Sequence, residues 1–117
     1  MADEQSRRTN AIQAAYNEAH AGFMKAHLLV AELLPELTLE ELATYQRIDG
    51  EIAAFHDEQR EQQRALSELG RKASTVEDKF EYAGHLLAVV EKNTERLHHL
   101  TEQLADLVRS HLAKKEP

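Results

Sequence analysis

Histidine is the residue type in this chain best suited to chemistry, because its imidazole binds metals and titrates near neutral pH. Seven histidines occur among 117 residues. Four of them lie on one flank of the predicted helices, each just after a core position: His20, His27, His56 and His98. Asp49 and Glu91 lie on the same flank. Imidazole nitrogens and carboxylate oxygens grouped in this way could bind zinc or iron.

Other patterns that could carry chemistry are incomplete. Glu95 and His98 form one Glu-x-x-His motif, whereas di-iron helical bundles use two such motifs together with further glutamates. The His98-His99 pair could accept a phosphoryl group, but the sequence contains no glycine-rich nucleotide-binding loop. The four serines lack the Gly-x-Ser-x-Gly context of a nucleophile. We therefore expect no catalytic, cofactor-binding or metal-binding residues, with a metal-binding helical bundle as the alternative.

The composition predicts a helical protein. Ala, Glu, Lys, Leu and Arg make up 63 of the 117 residues, a share typical of long helices and coiled coils. Four Gly, two Pro and eight Val plus Ile leave little material for strands and tight turns. A hydrophobic content of 42% is too high for a disordered chain of this charge. We expect one all-α domain over residues 1–117.

Capping signals predict where the helices begin and end. Pro35 ends the first helix, because proline disfavours helical geometry at the residue before it. Thr38 and Glu41 form a capping-box pair that starts the second helix, with Leu37 and Leu42 at the hydrophobic-staple positions. The first helix is expected to end near residue 34.

The second turn has signals of the same kind. Gly70 suits the end of a helix, and Ser74 with Glu77 predicts a second capping box. Gly50 could split the second helix, since glycine in a helix interior costs about 1 kcal/mol relative to alanine, but we favour a continuous helix. The predicted helices span about residues 5–34, 38–69 and 74–113.

Apolar residues recur in alternating steps of three and four along all three helices, as in coiled coils. The first stripe is Ile12, Tyr16, Ala19, Phe23, Ala26, Val30 and Leu33. The third is Val76, Phe80, Ala83, Leu87, Val90, Thr94, Leu97, Thr101, Leu104, Val108 and His111. The second is Tyr45, Ile48, Ile52, Phe55, Gln59, Gln62, Leu66 and Leu69. Short turns force neighbouring helices antiparallel, which predicts an elongated up-down-up three-helix bundle.

Polar residues interrupt these stripes at Gln59, Gln62, Thr94 and Thr101, and each requires a hydrogen-bond partner if it is buried. They indicate either a polar layer that fixes the helix register or a binding notch.

Two arrangements of the helices are compatible with the stripes. In one, His20 and His27 face Asp49 and His56 along a single groove. In the other, His20 faces Asn93 of the third helix, and the second helix faces Glu91 and His98. We favour the second arrangement, because the apolar flank of the third helix then receives cover. That flank comprises Leu86, Asn93, Leu100 and Leu107.

Charge and composition exclude several function classes. Fourteen basic against 21 acidic residues give a net charge of -7, which argues against binding to a nucleic-acid backbone. The absence of cysteine excludes disulfides and Cys-ligated zinc. No apolar run is long enough for a signal peptide or a membrane span. We expect a soluble cytoplasmic protein with no nucleic-acid or membrane partner.

Surface apolar residues remain as the functional signal. Residues 28–34 and 86–90 are apolar almost around the helix, and such helices are usually covered. Hairpin geometry places Thr38, at the start of the second helix, level with about residue 106 of the third. The residues after 106 therefore extend past the second helix, and they either fold over the first turn or contact another chain. The predicted interface residues are Leu28, Leu39, Leu86, Val89, Leu107, Val108 and Leu112.

These observations predict a non-enzymatic protein-protein interaction module that binds a protein partner, a second copy of itself, or both. An adaptor, an assembly or secretion chaperone and a small acidic inhibitor all fit this description. An acidic decoy that blocks a nucleic-acid-binding protein is a further alternative, although the acidic residues are spread over all three helices.

Overall fold

A computed structural model of the protein describes residues 2–115. Within these residues the chain forms three long helices: α1 (Ala2–Leu33), α2 (Leu39–Lys72) and α3 (Val76–Lys115). A 3₁₀ turn over Leu34–Glu36 connects α1 to α2. The predicted all-α, up-down-up three-helix bundle is therefore confirmed. Its Cα atoms extend over 64 × 28 × 15 Å.

The first connection follows the capping signals. Pro35 lies in the 3₁₀ turn, and Leu37 continues it in extended conformation. Thr38 Oγ1 accepts a hydrogen bond from the Glu41 backbone N–H at 3.1 Å, and the Glu41 carboxylate accepts one from the Thr38 N–H at 2.9 Å. This reciprocal pair is the predicted capping box. From there α2 runs through Gly50 without a break, as predicted.

The second connection differs from the prediction. Thr75, not Ser74, caps α3: its Oγ1 accepts from the Asp78 N–H at 3.0 Å. The Asp78 carboxylate accepts in return from the backbone N–H groups of Thr75 and Ser74. The predicted Ser74–Glu77 pair is thus displaced by one residue, because a single aspartate side chain satisfies two consecutive N–H groups. α2 also continues past Gly70, to Lys72.

Moving this turn changes which residues of α2 and α3 lie level. When the turn of a helical hairpin moves by one residue along the chain, each residue of the first helix lies level with a residue two positions further along the second. This shift contributes to the observed pairing of Glu41 with His111, in which Glu41 Oε1 lies 3.1 Å from His111 Nδ1. The end of α3 packs along the start of α2 instead of extending past it. The alternative in which this segment needs another chain is wrong for Leu107 and Val108, which are 6% and 8% exposed.

α3 is the central helix, because α1 and α2 each pack along it and approach each other much less closely. Asn93 of α3 donates its side-chain N–H to Gln62 Oε1 of α2 at 3.0 Å. Glu91 of α3 forms an ion pair with Arg8 of α1 at 3.7 Å. Both contacts contradict the favoured arrangement, in which Asn93 faced α1 and Glu91 faced α2. α2 also provides a charged partner for this part of α3, because Glu58 of α2 pairs with Lys92 of α3 at 3.0 Å.

The buried core occupies one half of the bundle. It comprises Ala19, Phe23 and Val30 of α1, Ile48, Ile52 and Phe55 of α2, and Leu97, Leu100, Leu104, Leu107 and Val108 of α3. We call the end with Pro35 and the last turns of α3 the closed end. The opposite end, with the start of α1 and the α2–α3 turn, is the open end. Within residues 3–15, 59–72 and 76–90, which surround the open end, no residue is fully buried.

Three of the four polar residues of the stripes have hydrogen-bond partners, which are of two kinds. Thr94 and Thr101 donate their hydroxyls to the backbone carbonyls of Val90 and Leu97, at 2.8 and 2.7 Å. Gln62 accepts from the buried Asn93, which links α2 to α3 where the core gives way to the open end. This part of the predicted polar layer therefore ties two helices together at a fixed register.

Three helical glycines provide a stability prediction. An added Cβ at Gly22, Gly50 or Gly84 would meet no atom within 4 Å. Alanine at each position is expected to raise the free energy of unfolding by about 0.5–1 kcal/mol, because glycine loses more backbone entropy in a helix. Urea-induced unfolding of the three single variants tests this.

Gly70 is the matched control for these variants. A Cβ there would approach the Tyr82 ring to 3.3 Å, so Gly70→Ala is expected to gain less than the other three or to lose stability. Equal gains at all four positions would contradict the assignment of Gly70 to the close approach between α2 and α3.

Candidate interaction surfaces

The histidines do not form a common site. His20 stacks on Tyr16 and His27 on Phe23, with ring centroids 6.1 and 5.7 Å apart. His56 and His98 are exposed. In the part of the chain that the structure describes, no group of three or more His, Asp or Glu side chains is placed to hold a metal ion. Two of the four predicted flank histidines thus pack against aromatic rings of their own helix.

One histidine has a role that the sequence did not reveal. His111 is 4% exposed and its Nδ1 lies 3.1 and 3.3 Å from the two carboxylate oxygens of Glu41, which is 3% exposed. Hydrogen bonds from the Thr38 backbone and then from His111 hold the pKa of Glu41 below its ordinary 4.5, against the opposing effect of burial. The sequence contains a partial signal for this contact, because His111 falls on the predicted core stripe and Glu41 at the predicted capping position. The contact joins α2 to α3 at the closed end.

The open end contains a groove between the first turns of α1 and α3, which we call the open-end groove. This groove is open to solvent and has a volume of about 660 Å³. It is lined by Gln5, Ser6, Thr9, Asn10, Val76, Lys79, Phe80 and Ala83. Val76 and Phe80 are 69% and 59% exposed, so their prediction as core residues is wrong. The reason is the composition of α1, where Ile12 is the first large apolar residue after the N-terminal methionine. Polar side chains of α1 border the groove without covering these two residues.

A second, smaller groove lies between α2 and α3. It has a volume of about 260 Å³, and its walls include Gln59, Leu66, Leu86, Val89 and Asn93. Leu86 is 40% exposed and Val89 is partly buried. The predicted interface residues Leu86 and Val89 therefore do come together, next to the polar residues predicted as a layer or notch.

The outward side of α1 carries a long uncharged stripe. It comprises Ala14, Asn17, Ala21, Met24, Leu28 and Ala31, which all are exposed; we call this set the α1 outer face. Their spacing of three, four and seven residues places them on one helical stripe. Met24 is 44% exposed and Leu28 60%.

Charge is scarce in α1 after its first two turns, which carry Asp3, Glu4, Arg7 and Arg8. Residues 9–33 contain only three charged residues, Glu18, Lys25 and Glu32, which are spaced by seven and therefore form one edge of the α1 outer face. The 34 residues 39–72 of α2 contain 13 charged residues, against three in these 25 residues of α1. Many of them pair with each other or with α3, as Arg47 does with Glu51 and Arg64 with Glu61. α1 thus presents an uncharged exposed stripe over residues 14–31. α2 has a shorter exposed uncharged stripe, comprising Leu39, Ala43, Gln46, Gly50 and Ala53, in which Leu39 is the one large apolar residue.

The seven predicted interface residues lie in separate places. Leu28 is on the α1 outer face, and Leu39 is 87% exposed at the first turn of α2. Leu112, near the end of α3, is 50% exposed. Leu86 and Val89 line the groove between α2 and α3, whereas Leu107 and Val108 belong to the core. They are therefore not one patch.

Between residues 2 and 115, none of the helices combines the length and the apolar content needed to cross a lipid bilayer. No protein-family model, no curated protein sequence and no solved structure matches this chain.

Proposed function

We infer that the protein is a non-enzymatic helical interaction module that associates with a second copy of itself. The observation that carries this proposal is the α1 outer face, a stripe of exposed uncharged residues whose largest apolar members are Met24 and Leu28. Helices with such faces are usually covered by another element, and none of residues 2–115 covers this one. A cytoplasmic location, expected from the sequence, belongs to the same proposal.

The size of the face indicates the strength of the association. Residues 11–32 span about 33 Å at 1.5 Å per residue, so a single helix pair buries less than a standard protein interface of about 800 Å² per partner. The expected dissociation constant is therefore micromolar. Such a module would assemble and disassemble with concentration.

Molecular mass measured by light scattering or sedimentation tests the proposal. We expect a monomer near 1 µM and a rising dimer fraction towards about 500 µM, a range that brackets the affinity of a small interface. Leu28→Glu is expected to abolish the rise, because it buries a charge in the apolar contact. Because Leu28 is 60% exposed, the fold is expected to survive the change.

Leu39→Glu is the matched control, since Leu39 is an even more exposed leucine outside the α1 outer face. It is expected to leave the dimer fraction unchanged. A strict monomer at every concentration would refute self-association.

A further inference from the structure

We propose that two copies pair through their α1 outer faces as an antiparallel, two-fold symmetric dimer centred on Ala21, with Glu18 of each copy against Lys25 of the other. The inference rests on the proposed self-association and specifies its surface, its direction and its register. A two-fold axis makes every contact occur twice, so a self-complementary face is required.

The distribution of charge selects the direction. Glu18, Lys25 and Glu32 lie along one edge of the α1 outer face, and His20 and His27 lie along the other. When two helices pack antiparallel, the same edge of each copy meets along the contact, so acid and base of the charged edge can pair. A parallel pair would instead place the charged edge of one copy against the histidine edge of the other.

The positions of acid and base select the register. When Ala21 of one copy lies against Ala21 of the other, Glu18 is level with residue 24 of the second copy. Lys25 of that copy is therefore offset from Glu18 by one residue, which is about 1.5 Å along the axis. At the ends, Glu32 lies about one helical turn from Arg7 of the second copy. The charges of the two faces therefore complement each other in this register.

Side-chain size agrees with the same register. Ala14 of one copy lies opposite Leu28 of the other, so a large residue fills the space beside a small one. Ala21 at the centre allows the two backbones to approach closely. None of these side chains is needed for the core of the monomer, because all of them are exposed.

Charge reversal tests the pairing. Glu18→Lys and Lys25→Glu are each expected to weaken the homodimer by about tenfold, since each places like charges together at two symmetric positions. An equimolar mixture of the two variants is expected to form a heterodimer at least as strong as the unmodified dimer. The double variant E18K/K25E is expected to recover homodimerisation. A mixture no stronger than either variant alone would overturn the proposal.

Cysteine cross-linking tests the register directly, because the chain contains no cysteine of its own. Ala21→Cys is expected to form a disulfide-linked dimer under mild oxidation. A mixture of Ala14→Cys and Leu28→Cys is expected to cross-link, because these two positions lie opposite each other in the dimer. Neither variant is expected to cross-link alone, since the two copies of position 14, like those of position 28, lie about 21 Å apart along the axis. Ala53→Cys, at an exposed position on α2, is the control for random collision.

The outcomes separate the two proposals. A monomer at all concentrations removes self-association itself. A dimer in which Ala21→Cys cross-links no faster than Ala53→Cys leaves self-association in place and overturns the antiparallel α1 pairing.

Discussion

Glu41→Ala is expected to lower the free energy of unfolding by about 3 kcal/mol. The substitution removes the buried acceptor of His111 Nδ1 and one half of the capping box with Thr38. Deleting one partner of a buried polar pair leaves the other without a hydrogen bond, which costs about 1–3 kcal/mol, and the loss of a helix cap adds about 1 kcal/mol. Urea-induced unfolding followed by circular dichroism measures the effect.

Glu40→Ala is the matched control, because Glu40 is the exposed neighbour of Glu41. Its effect is expected to stay within about 0.5 kcal/mol. Similar losses in the two variants would show that the buried contact with His111 contributes nothing beyond helix propensity.

Acid is expected to weaken the same contact. The pKa of Glu41 is lower in the folded protein than its ordinary 4.5, so the ionised carboxylate stabilises the fold at neutral pH. This contribution is lost as the pH falls below about 4.5 and through the lower folded value. Glu41→Gln lacks the titration, and its stability is expected to fall less than that of the unmodified protein over this range.

Other carboxylates titrate in the same range, so the comparison between the two proteins is what isolates Glu41. Lys115 lowers the pKa of Glu36, and the backbone N–H groups of Ser74 and Thr75 lower that of Asp78. Both effects are present in the variant and in the unmodified chain. Parallel acid profiles would contradict the role assigned to Glu41.

Phe55→Ala is expected to cost about 3–5 kcal/mol, whereas Phe80→Ala is expected to change stability by no more than about 0.5 kcal/mol. The two residues are of the same type and both fall on the predicted stripes, but Phe55 is 2% exposed and Phe80 59%. Removal of the Phe55 ring leaves a cavity among buried core residues. The Phe80 ring is mostly exposed, so its removal takes away little buried apolar surface. Equal losses in the two variants would show that the open end is packed as well as the closed end.

Hydrogen exchange of the unmodified protein provides an independent check of this asymmetry. Amides of residues 93–111 are expected to exchange by global unfolding, and those of residues 76–90 through local opening at lower free energy. Uniform protection along α3 would contradict a core confined to the closed end.

Local signals in the sequence predicted the fold well, because they act within a few residues. Pro35, the capping box of Thr38 and Glu41, and the periodic apolar stripes each specify one turn or one face. The stripes together give three helices in an up-down-up arrangement, as observed.

The second turn shows where such signals stop being sufficient. Ser74 and Thr75 can both cap a helix, and the choice between them depends on how the Asp78 carboxylate satisfies the backbone. A small displacement of the turn is doubled in the pairing of α2 with α3. It helps to bring Leu107 and Val108 against α2, where both are buried, although the apolar pattern had placed only Val108 on the core stripe.

The candidate surface was predictable only in part. The scarcity of charge in residues 9–33 can be seen in the sequence, and Leu28 is among the predicted interface residues. That the whole stripe remains uncovered depends on the way α1 packs on α3. The exposure of Phe80 had a weaker signal, namely a polar first turn of α1 opposite an apolar start of α3.

The central position of α3 has a consequence for biosynthesis. The ribosome makes α1 and α2 first, yet each of them packs chiefly on α3 and little on the other. Phe23, Val30, Ile48 and Phe55 therefore lack most of their final neighbours until residues 93–111 have left the exit tunnel. Nascent chains of this protein should stay open to chaperones until late in translation, and they should acquire protease resistance only when α3 has emerged.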